Sequence, residues 1–130
     1  MDILLDTCAV LWAILEPSRL SADAVHALKD STSSVHVSPI SVAEIACAVD
    51  RGRVTLTEHW KPWCRRHFAF NEWTTLPIDM DIVAEAYCLP PPFHDDPADR
   101  IIVATARVRN LHVVTGDRKI LSYPHVLTVW

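Results

Sequence analysis

Short apolar runs alternate along the chain with longer stretches in which apolar side chains recur at helical spacing. The runs are rich in leucine and β-branched residues, which favour strands. They cover Asp2–Leu5, Ser34–Val37, 74–78, 112–115 and 126–129. Helical spacing is clear around 42–49 and in the nearly all-apolar segment 101–106. The pattern therefore predicts alternating strands and helices.

The strand runs are apolar enough to be covered on both faces, which is typical of a parallel sheet packed between helices. We expect an α/β fold, a three-layer α/β/α sandwich around a central parallel sheet of about five strands. The proline-rich segment 89–93 cannot continue a helix and is predicted to be a loop. With 130 residues, 50% of them hydrophobic, residues 1–130 should form a single domain.

Composition narrows the possible environments and partners. A formal net charge of -4 argues against a broad basic surface, so any nucleic acid must be bound locally. The four cysteines are scattered without a C-x-x-C pair and are expected to be core residues rather than disulfides or zinc ligands. The first residues lack a basic leader, and no apolar run approaches the roughly 20 residues of a membrane span. We expect a cytoplasmic protein without membrane association.

Four acidic residues fall where strands end or helices begin. Asp6 directly follows the first strand run, and Asp117 follows the fourth after a single glycine. Glu44 and Asp99 are each expected in the first turn of a helix. Ligands of open parallel sheets bind beyond the carboxyl ends of the strands, so these positions converge on one crevice.

Each acid also has a local structural interpretation. Asp6 could cap the first helix, and Asp117 could serve the turn that follows Gly116. Ser41 and Glu44 form a capping-box pattern, in which Glu44 reaches back to the backbone N–H of Ser41. Asp96 has the same relation to Asp99, with proline at the first helical position. Any one acid alone favours the structural interpretation.

Four acids together favour a metal site. Carboxylates brought close repel one another and raise each other's pKa unless a cation compensates. Oxygen ligands of this kind suit Mg²⁺ or Mn²⁺, whereas no His or Cys partner with zinc spacing accompanies them. His94 is assigned to a loop, where we expect a capping or solvent-exposed role. The predicted metal ligands and catalytic residues are Asp6, Glu44, Asp99 and Asp117.

The segments that carry these acids resemble the ordered motifs of PIN-domain ribonucleases, and most closely those of VapC-like toxins. The matching segments are Leu4-Leu5-Asp6-Thr7, Ser41-Val42-Ala43-Glu44-Ile45, His94-Asp95-Asp96-Pro97-Ala98-Asp99-Arg100 and Val114-Thr115-Gly116-Asp117. The resemblance extends from Ile3 to almost the last residue and includes Arg51-Gly52. Each motif alone is weak, but the ordered set is specific.

The resemblance implies a metal-dependent endoribonuclease that cleaves RNA phosphodiester bonds, the toxin of a toxin–antitoxin pair. Its cofactor would be Mg²⁺ or Mn²⁺, held by an acidic pocket in which Asp96 is a second-tier candidate ligand. Its partners would be an RNA substrate and a cognate antitoxin protein, and we expect a homodimer. A PIN-fold nuclease of RNA processing and a catalytically silent binding module of the same fold are the alternatives.

Several further residues have two interpretations each. Thr7 and Thr115 flank the predicted site and either orient carboxylates or only satisfy strand propensity. Arg100 either contacts phosphate or forms a structural salt bridge. Segment 60–67 mixes aromatic and basic residues, as in RNA-binding surfaces, but an amphipathic helix with buried tryptophans is favoured. Trp12 either belongs to an exposed partner-binding patch or is buried.

Two other classes of protein, a phosphatase and a receiver domain, place an aspartate after the first strand of a similar sheet. A haloacid dehalogenase-type phosphatase needs a second Asp two residues later, where this chain has Cys8. A phospho-receiver domain needs paired acids before the first helix and a late lysine. Neither pattern explains the distant Glu44 and Asp99.

Overall fold

The computed structural model describes residues 1–130 and contains five strands, seven α-helices and a 3-10 helix. Their bounds are β1 Asp2–Leu5, α1 Thr7–Leu15, the 3-10 helix Pro17–Arg19, α2 Ala22–Lys29, β2 Ser34–Val37, α3 Pro39–Asp50, α4 Trp60–Phe70, β3 Thr74–Thr75, α5 Met80–Ala86, α6 Pro97–Arg109, β4 His112–Val114, α7 Arg118–Leu121 and β5 Thr128–Val129. Strands and helices alternate as the sequence pattern predicts. None of the helices is long and apolar enough to cross a membrane.

The five strands form one fully parallel sheet in the order β3-β2-β1-β4-β5. From β1 the chain builds the sheet outward through β2 and β3, and then crosses back to place β4 on the other side of β1. The strand order therefore reverses between β1 and β4. In open α/β sheets, this reversal opens a crevice at the carboxyl ends of the two strands, where ligands bind.

Alternating side chains of the central strand face two different cores. Ile3 and Leu5 belong to a cluster with residues of α1, α2, α3 and α4, whereas Leu4 packs against α6 and the region of α7. A smaller cluster joins α5 to α6. Because both faces of the sheet are covered, the predicted three-layer α/β/α sandwich is confirmed.

The prediction that all the cysteines lie in the core is wrong. Cys64 is buried on α4, but Cys8, Cys47 and Cys88 are exposed. Cys8 lies on α1 and Cys47 on α3, and both line a cavity. Helical spacing alone does not distinguish a cavity-lining face of a helix from a core face when both carry apolar residues.

The segment of mixed aromatic and basic residues forms α4, an amphipathic helix. Trp63 is buried, Trp60 packs partly against the core, and Lys61, Arg65 and Arg66 are exposed. The favoured interpretation of this segment, with core tryptophans and solvated cations, is therefore confirmed.

Candidate metal centre

Asp6 leaves the end of β1 and caps α1 from a buried position. Its Oδ1 accepts a hydrogen bond from the backbone N–H of Ala9 at 2.7 Å, and its Oδ2 accepts one from the hydroxyl of Thr115 at 2.5 Å. Burial raises the pKa of Asp6, the two hydrogen bonds lower it, and the charges of Asp117 and Glu44 raise it further. The predicted cap is present, and it also fixes a carboxylate at the strand edge.

Thr115 connects two of the acids. Its hydroxyl donates to Asp6 and accepts from the backbone N–H of Asp117 at 3.0 Å. Asp117 in turn caps α7, accepting from the backbone N–H of Lys119 at 2.8 Å. Of the two interpretations of Thr115, the one in which it orients a carboxylate fits this geometry.

Glu44 lies in the second turn of α3, not in the first as expected, and Ser41 is not the cap of this helix. Ser38 is the N-cap, with Pro39 at the first helical position, and its side chain accepts from the N–H of Ile40 at 3.2 Å. The helix begins one turn earlier because proline is preorganised for that position. Freed from a capping role, Glu44 is available to the cavity.

The carboxylate of Glu44 accepts a hydrogen bond from the hydroxyl of Thr7 on α1. The Oγ of the buried Ser41 lies 3.0 Å from the same hydroxyl oxygen. A hydroxyl has one proton, and a charged acceptor makes the stronger bond, so Thr7 donates to Glu44 and Ser41 donates to Thr7. These two hydrogen bonds orient Glu44, and they favour the interpretation in which Thr7 orients a carboxylate.

Asp99 lies in the first turn of α6, as predicted, behind its N-cap Asp96. The Oδ1 of Asp96 accepts from the backbone N–H of Asp99 at 3.0 Å, so the capping role of Asp96 is confirmed. The pKa of Asp99 is raised from 3.8 to about 7, first by burial and then by the charges of Asp96, Asp117, Glu44 and Asp6. These carboxylates therefore act on one another across a common space.

His94 faces this acidic group, which the sequence did not indicate. Its Nδ1 accepts from the N–H of Asp96 at 3.3 Å, and its Nε2 lies 3.1 Å from Asp99 Oδ2. The Nε2 approach is too poorly aligned to count as a hydrogen bond, so the two atoms are only in close contact. The expectation of a purely capping or solvent role is corrected: His94 both supports the cap of α6 and contacts Asp99.

The five acids line one open cavity of about 990 Å³ at the carboxyl edge of the sheet, together with neighbouring side chains from α1 and α3. The acids are Asp6, Glu44, Asp96, Asp99 and Asp117. As the side chains stand, no three His, Cys, Asp or Glu residues are arranged to hold a metal ion.

The donor chemistry of the cavity nevertheless fits a hard divalent cation. The five acids of the cavity supply carboxylate oxygens, the ligand type that Mg²⁺ and Mn²⁺ prefer. The raised pKa values of Asp6 and Asp99 reflect burial and carboxylate repulsion, which a cation would relieve. Carboxylates accept several bonds per oxygen, so the existing hydrogen bonds leave capacity for an ion.

Other residues of the cavity wall were not among the predicted site residues. On α3, the cavity wall includes three residues at helical spacing after Glu44, namely Cys47, Ala48 and Arg51, and Arg53 lies just beyond the helix. Their i, i+3, i+4, i+7 relation to Glu44 is the sequence signal that could have identified them.

Trp12 is partly buried and lines the same cavity, between an exposed and a core position. The guanidinium carbon of Arg19 lies 4.5 Å from its ring centroid, and the ring of Trp130 lies 5.7 Å away. Trp12 is therefore neither fully buried nor part of a fully exposed patch, the two positions that the sequence left open.

Arg100 neither faces the cavity nor depends on an acidic partner. Its guanidinium donates to the carbonyls of His94, Ala86 and Phe93 at 2.9 to 3.0 Å, while Asp95 lies at 3.9 Å. It ties the loop before α6 to the end of α5. The phosphate-contact interpretation has no support in this geometry.

Comparison with known proteins identifies the family of this chain and agrees with its fold. A family model described as PIN domain matches residues 3–126. Ribonuclease VapC22 of Mycobacterium tuberculosis is 34% identical over 130 residues, which cover 98% of each chain. A structure of VapBC2 from Rickettsia felis with a promoter DNA fragment has a TM-score of 0.72 at 15% identity, covering 98% of this chain and 97% of that one. A toxin–antitoxin complex from Klebsiella pneumoniae has a TM-score of 0.65 at 21% identity, covering 97% and 96%.

Proposed function

This chain belongs to the PIN-domain family, and we propose that it is a divalent-metal-dependent endoribonuclease acting as the toxin of a toxin–antitoxin pair. The observation that carries the metal site is that five carboxylates line one cavity at the carboxyl edge of the sheet, where burial and the other four charges raise the pKa of Asp99 to about 7. A fold keeps such a group of acids at the switch point of its sheet at a cost in stability. A bound cation removes that cost.

We assign Asp6 and Asp99 as the main ligands of Mg²⁺ or Mn²⁺, with Glu44 and Asp117 completing the cage. Asp96 stays a second-tier candidate, because its Oδ1 is engaged in the cap of α6. When bound, the metal supplies a water of lowered pKa as nucleophile and neutralises charge on the phosphoryl oxygens. One metal or two fit this assignment equally.

The surrounding residues fix the ligands before the metal arrives. Thr115 holds Asp6 and the start of the Asp117 loop, while Thr7 holds Glu44. His94 lies beside Asp99, with its Nε2 3.1 Å from Asp99 Oδ2. Because the pKa of Asp99 is about 7, part of the metal-free protein carries a proton on Asp99 near neutral pH, and cation binding displaces that proton.

RNA is the proposed substrate, since the relative 34% identical over 98% of the chain is described as a ribonuclease. An antitoxin protein is the proposed partner, as the structural neighbours include a toxin–antitoxin complex. A homodimer and a location in the cytoplasm, where RNA and an antitoxin would meet the enzyme, complete the proposal.

The test is a cleavage assay on total cellular RNA, with the protein stripped of metal and then supplied with Mn²⁺ or with chelator. We expect specific fragments with Mn²⁺, none with chelator, and none from Asp99→Asn. Asp81→Asn is the matched control, because Asp81 is an exposed carboxylate on α5 outside the cavity. Production of each protein in cells should arrest growth for the wild type and for Asp81→Asn only.

Cleavage that persists in chelator, or that is equal in Asp99→Asn and the wild type, contradicts a metal-dependent site at these residues. Cleavage without growth arrest would support the RNA-processing alternative over the toxin.

A further inference from the structure

The wall of the acidic cavity formed by α3 ends in two arginines. Arg51 is the C-cap of this helix, Gly52 follows with a φ of 70°, and the N–H of Arg53 returns to the carbonyl of Ala48 at 2.9 Å. A left-handed glycine after the last turn is the usual way to close a helix in this manner. The backbone of both arginines is therefore held against the helix, and both side chains line the cavity.

Neither guanidinium forms an ion pair, although five carboxylates line the same cavity. The other arginines that lie near acids do pair with them, as Arg107 does with Glu85 at 2.7 Å. The two arginines are thus more than 4 Å from every carboxylate oxygen of the cavity, the limit for an ion pair here. Arg51 also lies seven residues after Glu44 on α3, about 10 Å along the helix axis, so the arginines mark an end of the cavity apart from Glu44.

The charge of the whole chain makes this separation significant. With a formal net charge of -4 and an acidic floor, the protein repels a polyanion unless cations meet its phosphates locally. Guanidinium groups bind phosphate oxygens through a planar fork of N–H donors, and they lose less hydration than an ammonium group does. Arg51 and Arg53 present two such forks on one turn of chain.

We propose that Arg51 and Arg53 bind backbone phosphates of single-stranded RNA beside the bond that is cleaved. The acidic end of the cavity would take the scissile phosphate with its cation, and the arginine end would fix the direction of the strand. This inference rests on the proposed ribonuclease function and adds a substrate-binding role that is separate from the metal ligands.

A second basic surface of the molecule offers a matched control. Lys61 and Arg65 on α4 are also exposed and without ion pairs, and they line a different groove with Trp60 and Trp73. If RNA were bound by any basic surface, or by aromatic and basic residues together, this groove would serve as well.

The test compares binding of a short fluorescein-labelled RNA of mixed sequence by fluorescence anisotropy at several salt concentrations. All proteins carry Asp99→Asn, so that the RNA is not cleaved during the measurement. Adding Arg51→Gln and Arg53→Gln should weaken binding roughly tenfold at low salt, because two charge-assisted contacts are lost. The slope of log K against log salt should shrink by about 1.4, that is, about 0.7 for each phosphate contact.

Adding Lys61→Gln and Arg65→Gln instead should leave both affinity and slope unchanged. Arg51→Lys with Arg53→Lys should keep the slope, because the charge remains, while recovering only part of the affinity. The Mn²⁺-induced rise in melting temperature, measured without Asp99→Asn, should survive in the Arg51→Gln, Arg53→Gln protein, which shows that the metal end is intact.

Equal affinity and slope in the Arg51→Gln, Arg53→Gln protein and its reference would overturn the proposal, as would an equal loss in the α4 control. Oligoglutamate serves as a second probe. If the Arg51→Gln, Arg53→Gln protein binds oligoglutamate more weakly but binds RNA normally, the result would overturn the proposal in favour of an acidic protein segment as the ligand. If the wild type cleaves RNA while the arginine variants bind normally, this inference alone fails. If the reference binds no RNA and the wild type cleaves none, the proposed function fails with it.

Discussion

The hydroxyl of Thr115 donates to the carboxylate of Asp6 across 2.5 Å, joining residues that are 109 positions apart in the sequence. The two lie at the ends of neighbouring parallel strands, β1 and β4, where the strand order of the sheet reverses. The same hydroxyl accepts a hydrogen bond from the backbone N–H of Asp117. One small side chain therefore holds the carboxylate of Asp6 and the backbone that carries Asp117, at the place where ligands bind in this kind of fold.

Thr115→Val should weaken both the fold and the metal site. It keeps the shape but removes the donor to Asp6, and a buried acceptor left unsatisfied costs about 1–3 kcal/mol. Loss of this bond also raises the pKa of Asp6 further, so a cation must displace a proton that is held more tightly. We expect lower stability in urea and weaker Mn²⁺ binding by calorimetry.

Thr105→Val is its control, because Thr105 is a buried threonine whose hydroxyl donates to the carbonyl of Ile101 within α6 at 2.7 Å. It should bind Mn²⁺ like the wild type. Unchanged Mn²⁺ affinity in Thr115→Val would show that the hydroxyl has no role in the site.

The stability of the metal-free protein should fall as pH rises from about 4 to about 7. The pKa of Asp99 is about 7 in the folded protein against an ordinary value of 3.8, so the folded state holds the proton over this range and the unfolded state does not. Above about 7 both states have lost it, and this contribution is constant. Denaturation in chelator across this range measures the slope, which Asp99→Asn should reduce.

Metal binding should show the same proton. Mn²⁺ affinity should increase with pH up to about 7, and calorimetry in two buffers of different ionisation enthalpy should detect proton release, because the cation favours the ionised form of Asp99. If Mn²⁺ affinity increases with pH equally steeply in the wild type and in Asp99→Asn, this result would contradict the raised pKa of Asp99.

Gly116→Ala should displace the loop that carries Asp117. A Cβ at this position would stand 2.9 Å from two ring carbons of Trp130, which is too close for the ring to stay in place. Overpacking of this kind costs about 1–3 kcal/mol. We expect a lower melting temperature and weaker Mn²⁺ binding, and adding Trp130→Leu should restore part of both by making room.

Gly52→Ala separates this effect from the general cost of replacing a glycine. Its Cβ would meet nothing within 4 Å, but its φ of 70° makes the substitution cost about 1 kcal/mol. Mn²⁺ affinity should not change. If the Gly116→Ala protein is equally stable with or without Trp130→Leu, the clash is not the cause.

Arg100→Gln should act on stability and not on substrate. Its guanidinium satisfies three backbone carbonyls that join the loop before α6 to the end of α5. Hydrogen bonds from a charged donor contribute about 1.5–3 kcal/mol each to stability, so the loss of three should lower the melting temperature by more than about 10 °C. At a temperature where the variant is folded, its KM for RNA should match that of the wild type; a large rise in KM would revive the phosphate-contact interpretation.

The sequence predicted the central strands well and the edge strands less well. The bounds of β1 and β2 agree with the predicted runs, whereas β3 stops at Thr75 and β5 begins at Thr128. Each of these edge strands pairs with its single neighbour over only two residues. Apolar propensity continues beyond the pairing, and only the neighbouring strand determines where the ladder ends.

Within the site, the positions of the acids could be predicted but not all of their contacts. Glu44 was misplaced because the Ser41–Glu44 capping pattern is matched by chance inside a helix that Ser38 and Pro39 begin earlier. The contacts of Thr7 with Glu44 and of His94 with Asp99 depend on how α1, α3 and the loop before α6 pack together. Local patterns carry no information on such packing. The helical spacing from Glu44 to Arg51 indicates only which residues of α3 share a face with Glu44.

The central claim, that these acids form one divalent-metal site, is tested most directly by Mn²⁺ titration calorimetry of four proteins: wild type, Asp6→Asn, Asp99→Asn and the control Asp81→Asn. We predict that the wild type and the control bind Mn²⁺ with equal affinity. The two site variants should bind more than roughly tenfold more weakly, since even indirect partners of a metal ligand cost that much. Equal Mn²⁺ affinity in all four folded proteins, or no binding in any, would contradict the claim.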